Sequence, residues 1–464
     1  MSENILSEIE SKKIRWVNLL LTDIVGQLHL VTISSKLVNN ESLREGFGKL
    51  DGSSVPGFKE IFESDLVLKI APDTFKVDPF FEGTGDAFSL IYDMFGKNRL
   101  GRDPRFVAEK SGDQLKAEGY TPFVAAELEF HIFDEVKVWV SGTSSGYIVR
   151  SKSAGFEKKK DYSLPPKGGY YVPPPIDDSI EIRKEISEIL EDAFKVRVEA
   201  HHHEVGAAGQ GEINFEMSGP EKLGDSVQIV KYVSRMVAVR RGKIVTFMPK
   251  PIQGDNGSGM HIHVSLWKGN KNAFYEESDN YAMLSQEARY FIGGLLYHGR
   301  ALSAIVSPTV NSYKRLLPGY EAPIFLAWSR GNRSAAVRIP SYYKNSERTK
   351  RIEYRPPDPS ANPYLAVSAV LMAGLDGIKR KIDSGDPVDE NIYHMPEEKV
   401  KALGISKLPS SLDEALKELE SDFSFLLPVF TQDLIEKYIE VKREELRKLN
   451  SKISPAEFYY YLNI

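Results

Sequence analysis

The chain has 464 residues, with 60 Lys+Arg against 65 Asp+Glu for a formal net charge of -5, and it contains no cysteine. This composition excludes disulfides, thiol nucleophiles, iron–sulfur clusters and thiolate zinc sites, and it leaves no global basic field to hold nucleic acid. The length exceeds the ~250–300 residues at which a single core stops growing, so more than one domain is expected.

Near the N-terminus the chain is acidic and shows no apolar signal-peptide core. Trp16 to Leu21 and Gln27 to Ile33 are β-prone runs joined by Thr22-Asp23-Ile24-Val25-Gly26, which predicts a hairpin. Phe88 to Phe95 predicts another strand. Asp103-Pro104 then predicts a capped helix to about Glu118, stopped at Gly119. A domain boundary is therefore expected before Asp103, giving a small β-rich unit at 1–102 and a larger unit at 103–464. In the larger unit, apolar spacing predicts helices over Ser179–Phe194, Asp225–Arg241, Met283–Ile305 and Asn362–Ile382, and a charged helical segment over Leu412–Leu449. The tri-lysine Lys158-Lys159-Lys160, beside Pro173-Pro174-Pro175, reads as a surface loop, and Gly142 to Pro166 as a long loop of open role. The longest apolar stretch, Leu365 to Leu375, ends at Asp376, short of the ~20 residues a membrane span needs. The terminal Phe458-Tyr459-Tyr460-Tyr461-Leu462 must either fold back or dock on a second subunit.

Four short segments carry the chemistry. In Ala126-Glu127-Leu128-Glu129-Phe130-His131-Ile132, strand alternation puts Glu127, Glu129 and His131 on one face and the apolar residues on the other. Carboxylates so placed repel one another unless a cation neutralises them. Glu204 follows the His201-His202-His203 tripeptide, and Gly206-Ala207-Ala208-Gly209 permits a tight return to Gly211-Glu212-Ile213-Asn214, which brings Glu204 and Glu212 within reach across a hairpin. The zincin spacing is absent, because Ala207 follows His203 by four. Met260 to Leu266 shows His261, His263 and Ser265 on one face, after the flexible Gly254-Asp255-Asn256-Gly257-Ser258-Gly259 turn, and Arg351-Ile352-Glu353-Tyr354-Arg355 shows Arg351, Glu353 and Arg355. Four strands with polar inner faces describe a barrel-like cleft. Its oxygen-rich donor set suits Mg²⁺ or Mn²⁺, with carboxylates enough for about two or three ions. Between the third and fourth strands lie Lys314, Arg315, Arg330, Arg333 and Arg338, with Glu321 in Pro318–Pro323. Guanidiniums beside a metal cleft point to phosphoryl transfer from a nucleotide, yet neither a P-loop nor a Rossmann fingerprint is present.

These motifs resemble glutamine synthetase of the bacterial and archaeal type I class, from about Trp16 to the C-terminus. The resemblance is carried by Leu50-Asp51-Gly52-Ser53-Ser54, Glu63-Ser64-Asp65, Glu127-Leu128-Glu129-Phe130, Lys167-Gly168-Gly169-Tyr170, His201-His202-His203-Glu204, Asn256-Gly257-Ser258-Gly259-Met260-His261-Ile262-His263, Asn332-Arg333-Ser334 and Glu353-Tyr354-Arg355-Pro356. It implies an α+β chain: an N-terminal β-grasp domain and a larger catalytic α/β domain whose antiparallel sheet forms part of an intersubunit barrel. It also implies a cytoplasmic homododecamer of two stacked hexameric rings, with sites between neighbours and the C-terminal tail locked into the opposite ring. The implied reaction joins ammonia to the γ-carboxylate of L-glutamate through γ-glutamyl phosphate, with ATP as co-substrate.

Residue by residue, the resemblance implies one metal on Glu129, Glu204 and Glu212 and a second on Glu127, His261 and Glu353. Asn256, Gly257, Arg315 and Arg355 would hold glutamate, and Arg333 and Arg338 the ATP phosphates. Tyr170, Glu199, His202, His263, Ser265 and Arg348 would line the nucleotide pocket. Asp51 from the adjacent subunit would bind ammonium and take its proton, helped by Asp65 and Glu321, with Glu321 on a closing flap. Asp51, Glu321 and Arg333 are the expected catalytic groups. The alternatives are a γ-glutamyl amine or polyamine ligase of the same fold, a non-catalytic structural oligomer, and a metal-dependent hydrolase. The sequence departs from many relatives at Glu216, where a basic residue is common, and Tyr393 aligns with a tyrosine that some bacterial relatives adenylylate.

Overall fold

The structure, a computed structural model, describes residues 2–155, 163–340, 346–427 and 429–462. The tri-lysine lies outside the described residues. The predicted hairpin forms: Trp16–Thr22 pairs antiparallel with Leu28–Ser34, and its turn is closed by Asp23, whose Oδ1 accepts from Val25 N at 3.0 Å and Gln27 N at 2.8 Å. Trp16–Thr22 also runs parallel to Thr84–Tyr92. That strand starts before the expected Phe88 and stops at Tyr92, because the Asp93 carboxylate accepts from the backbone of Phe95 and Lys97 and turns the chain. Phe47–Asp51 pairs with Asp65–Ile70 in a register that sets Asp51 opposite Asp65.

The Pro104–Ala117 helix begins as predicted, with Asp103 capping Arg105 N at 3.0 Å. Arg105 then grips Asp225 with two 3.0 Å bonds, and Tyr364 donates to the same carboxylate at 2.7 Å. This buried knot fastens three helices, Pro104–Ala117, Pro220–Arg240 and Pro363–Arg380, to one another behind the larger sheet. The Pro220–Arg240 helix opens five residues earlier than expected, since proline is at home in a first helical turn.

The single helix expected over Met283–Ile305 is two, Gln286–Tyr297 and Gly299–Val306. They break at His298, which is buried and has ring nitrogens 2.7 Å from both Asp376 and Asp422. Phe425 stacks on its ring at 4.0 Å. His298→Ala should lower the denaturant-derived unfolding free energy by about 2 kcal/mol, the worth of a hydrogen bond to a charged group plus the two carboxylates left facing each other. A variant as stable as the parent would show that the break has another cause. Leu412–Leu449 is likewise interrupted, into Leu412–Ser421 and Gln432–Asn450, where the intervening turn buries Phe425 and Leu426.

Gly142 to Pro166 is not all loop. Ser145–Arg150 pairs with Glu135–Val140 in a separate two-stranded hairpin that exposes Val138, Val140 and Tyr147. The tail does not fold back: Pro455–Tyr461 is a short helix, and Phe458, Tyr459, Tyr460, Tyr461 and Leu462 are exposed. Among the described residues, no helix is long and apolar enough to cross a membrane.

The larger sheet has ten strands among the described residues, two of which, Ile244–Thr246 and Lys271–Asn272, lie off its main path. Its path runs Val198–His203, Gln210–Phe215, Thr121–Phe133, Met260–Lys268, Ile352–Tyr354, Ala335–Arg338, Phe325–Ser329, Ser406–Lys407. The pairings are antiparallel except Phe325–Ser329 with Ala335–Arg338, which is parallel. One face packs on helices, so Leu128, Phe130, Ile213, Ile262 and Val264 are buried there. The other face is the cleft.

Candidate active site

Register assembles the site. Across adjacent strands His202 faces Glu212, and Glu212 faces Glu129. In the next row Asn214 faces Glu127, and Glu127 faces His261. In a third, His263 faces Glu353, and Glu353 faces Arg338. Three rows of polar groups thus lie side by side on the open face of a sheet whose other face is core.

Two groups come within metal-ligand reach of one another: Glu127 with His261 and Glu353, and His202 with Glu204 and Glu212. In the first, His261 Nδ1 lies 2.9 Å from Glu127 Oε2 and 3.6 Å from Glu353. In the second, His202 Nε2 lies 3.2 Å from Glu212 and its Nδ1 3.6 Å from Glu204. Glu129 sits between the groups, 3.9 Å from His261 Nε2, and its Oε2 accepts from Gln210 Nε2 and Gly259 N, both at 2.9 Å. A side chain at Gly259 would strike the Arg315 guanidinium and the His261 ring, so only glycine lets this backbone reach the carboxylate.

Burial, then the negative charges of Glu204 and Glu212, push the Glu129 carboxyl well above its usual range. Burial, then Glu127 and Glu204, do the same to Glu212. Burial also raises Glu204. On the other side burial opposes ionisation of Glu353, but Arg355 dominates the pairing and holds it down at about 2. Arg355 Nη1 and Arg338 Nη1 each donate to that carboxylate at 2.6 Å. Burial lowers the His261 imidazole to about 4, so it is neutral and ready to ligate at neutral pH. Three crowded carboxylates, of which Glu129 and Glu204 are lowered by Arg315 and Arg333 less than burial raises them, fit a divalent metal in a hard oxygen-rich set beside a neutral imidazole.

A narrow cavity of about 140 Å³ opens over these groups. Of the sequence-predicted residues, Glu127, Glu129, Glu204, Glu212, His261 and Glu353 line it, as do Asn256, Gly257, Arg315 and Arg355, Arg333, Arg338, Tyr170, His202 and Glu321. Asn256 Oδ1 is buried without a hydrogen-bond partner among the described residues, an acceptor left for a ligand. Gly257 lies where a Cβ would strike the Pro249 carbonyl. Arg315 is buried, with its guanidinium on the carbonyls of Pro356 (2.8 Å) and Arg355 (3.2 Å).

Other expected residues lie outside this cavity. His263 backs it, with Nε2 2.9 Å from Glu127 Oε1. Ser265 is committed to the protein interior, donating to the Lys350 carbonyl at 3.1 Å and accepting from Trp267. Glu199 is exposed where the strand register slips between Val198 and Ala200, and Arg348 is exposed on the Glu347–Thr349 turn. Asp51 and Asp65 share a separate cavity of about 530 Å³ with Lys49 and Met94. Arg330 turns away to the Tyr281 carbonyl at 2.9 Å. Glu216 pairs with exposed Arg197 at 3.1 Å. Tyr393 is half-buried, and its hydroxyl donates to the Ala322 carbonyl.

Sequence reasoning gave no site role to five residues that line the cavity, Tyr171, Asn214, Gly259, Tyr320 and Ala322. Asn214 shares the Glu212 face, and strand alternation alone marks it. Tyr171 stacks on Tyr170 at 4.2 Å and meets the His202 ring at 4.6 Å, and Tyr320 closes the far side. Neither carries a local signal. His202 also stands nearer the carboxylates than a nucleotide-contact role alone requires.

Clustered carboxylates facing four guanidiniums over a small cavity define a metal-dependent enzyme acting on anionic substrates. The family described as "Glutamine synthetase, catalytic domain" matches residues 101–461, and "Glutamine synthetase, beta-Grasp domain" matches residues 13–96. The chain is 52% identical to a glutamine synthetase of Sulfolobus acidocaldarius, over 99% of this chain and 98% of that one, and 42% identical to one of Escherichia coli K12, over the full length of both. Its fold superposes on a Plasmodium falciparum glutamine synthetase solved by cryo-electron microscopy with a TM-score of 0.89 at 28% identity, covering 99% of this chain and 98% of that one. The chain belongs to the glutamine synthetase family. It is a ligase that forms glutamine from glutamate and ammonia with ATP, built as a β-grasp domain followed by a larger catalytic domain.

Proposed function

We propose that the cavity residues divide the reaction as follows. Glu127, His261 and Glu353 hold one divalent ion, and Glu129, Glu204 and Glu212 a second, with His202 beside the latter. Mg²⁺ or Mn²⁺ suits this donor set, and when bound either neutralises phosphate charge. Arg333 and Arg338 bind the phosphates of ATP, and Tyr170 and His202 border the nucleotide, with Glu199, His263, Ser265 and Arg348 as its outer frame. Asn256, Gly257, Arg315 and Arg355 orient glutamate so that its γ-carboxylate oxygen faces the γ-phosphorus. Arg333 meets the charge that develops there.

The acyl phosphate so formed is water-sensitive, and Glu321 closes over it. Asp51, Asp65 and Glu321 collect ammonium, and Asp51 takes its proton, freeing the lone pair. Asp51 lies in a cavity separate from the metal ligands of its own chain, which supports its serving a neighbour's site. Exposure of the Phe458–Leu462 tail supports an oligomer in which a second copy covers it, and we assign two stacked hexameric rings. We place the domain boundary between residues 102 and 103, and the enzyme in the cytoplasm with its substrates. The observation that carries this reading is the pair of ligand clusters lying under Arg333, Arg338 and Arg355 in one cavity.

A nucleophile panel tests it. With ATP, glutamate and Mg²⁺, ammonium should support phosphate release with kcat/KM at least about tenfold above ethylamine or putrescine. Preference for an amine would replace the ammonia assignment by the γ-glutamyl amine ligase.

A further inference from the structure

Residues 318–323 cross the mouth of the cavity, where Tyr320, Glu321 and Ala322 form its outer wall. Glu321 has φ 57 without being glycine. An L-residue enters this left-handed region only when its surroundings hold it there. Three side chains from distant parts of the sequence do so. Lys167 Nζ donates to the Gly319 carbonyl at 2.6 Å. Lys250 Nζ stands 3.4 Å from the centre of the Tyr320 ring, with Lys167 Nζ at 4.2 Å from the same ring. Tyr393 donates its hydroxyl to the carbonyl of Ala322, the residue after Glu321.

The Tyr393 anchor is held by packing and by the hydrogen bonds of its turn. Its ring packs against an apolar group of Phe325, Ala335, Ile392 and Val400. Its own turn is tied to the Arg333 region: Ile392 N donates to Ser334 Oγ at 3.3 Å, and Asn332 Nδ2 donates to the Val388 and Glu390 carbonyls at 2.9 and 2.6 Å. Burial raises the Tyr393 hydroxyl to about 12, so it stays a donor throughout the working pH range.

We propose that Tyr393 is a positioning residue for the reaction, a latch whose hydroxyl holds the 318–323 segment closed so that Glu321 covers the acyl phosphate until ammonia arrives. Lys167 is the second fastening of the same segment. The inference rests on the reading of Glu321 as the closing residue. An open segment admits water, which cleaves the acyl phosphate to glutamate and phosphate. The net result is ATP hydrolysis without amide formation.

Phosphate and glutamine are therefore measured together, on the full-length oligomer with Mg²⁺, ATP, glutamate and ammonium, for the parent, Tyr393→Phe, Lys167→Met and Glu321→Ala. The parent should release about one phosphate per glutamine, and Tyr393→Phe about two or more, with a several-fold higher KM for ammonium and a KM for ATP within about twofold. Lys167→Met should shift the ratio in the same direction by less. Melting temperature and particle size should match the parent in Tyr393→Phe, since the ring and its packing are kept. If Glu321→Ala uncouples and Tyr393→Phe does not, the latch is wrong and the closing role of Glu321 survives. If neither uncouples, the closing role itself fails. If Tyr393→Phe loses kcat with coupling intact and a lowered melting temperature, the residue is structural and the proposal is overturned. Should Tyr393→Phe fail to assemble, the Lys167→Met ratio decides: coupling like the parent's overturns the closed segment.

Discussion

Glu129→Gln should lower kcat by about 10²–10³ and yet make the metal-free protein more stable than the parent. The Glu129 carboxyl is pushed well above its ordinary 4.5 by burial and by Glu204 and Glu212. A group raised in the folded state contributes stability below its unfolded value and loses it as pH rises through the folded value. Ionised Glu129 is therefore a liability in the chelated protein from about pH 4.5 upward, and glutamine removes the charge while keeping an acceptor for Gln210 and Gly259. Divalent metal reverses the sign by supplying the missing cation. Melting temperatures in chelator should fall from pH 5 to pH 8 for the parent and fall less for Glu129→Gln, while Mg²⁺ should raise the parent more than the variant. Glu353 behaves oppositely. Held at about 2, it is paired with Arg338 and Arg355, so Glu353→Ala removes the carboxylate to which both guanidiniums donate, one of them the buried Arg355, and should cost about 3–5 kcal/mol. A Glu129→Gln protein that melts below the parent in chelator would mean the cluster is neutralised from within the chain, and the metal assignment would fall.

Asp51→Asn should spare ATP binding and slow amide formation by about 10²–10⁴, the range of a positioned general base. The Asp51 carboxylate is held ionised by Ser53 Oγ, Ser54 Oγ and Ser53 N, at 2.7, 2.8 and 2.9 Å. It is thus a fixed negative group on an exposed edge, next to Asp65 and apart from the metal cavity. Two inactive variants make the decisive mixture. If Asp51 serves a neighbouring subunit, Asp51→Asn and Glu129→Gln chains co-assembled in equal amounts should recover about a quarter of parental activity, because that fraction of interfaces carries both intact halves. If Asp51 works within its own chain, the mixture stays inactive.

Much of this site can be read from residue order, and the reason is local. Alternation in a strand is set by backbone geometry between adjacent residues, so residue order alone puts Glu127 with Glu129, His261 with His263, and Glu353 with Arg355 on one face. Capping at Asp103 and the turn around Asp23 are equally short-range, and the structure keeps both. The failures share the opposite property. The His298 break depends on Asp376 and Asp422, far along the chain, and the Glu135–Val140 hairpin depends on a pairing that no apolar face specifies.

What residue order determined is therefore the chemical content of the cleft: which acids, imidazoles and guanidiniums face one way, and that together they call for divalent cations and phosphate. What tertiary structure decided is their arrangement. Strand register brought His202 against Glu212 and Glu204, placed Glu353 between two arginines, and kept Asp51 with Asp65 in a cavity of its own. Register and helix breaks are set by contacts between residues tens to hundreds of positions apart, whose energies appear only when the chain has closed on itself.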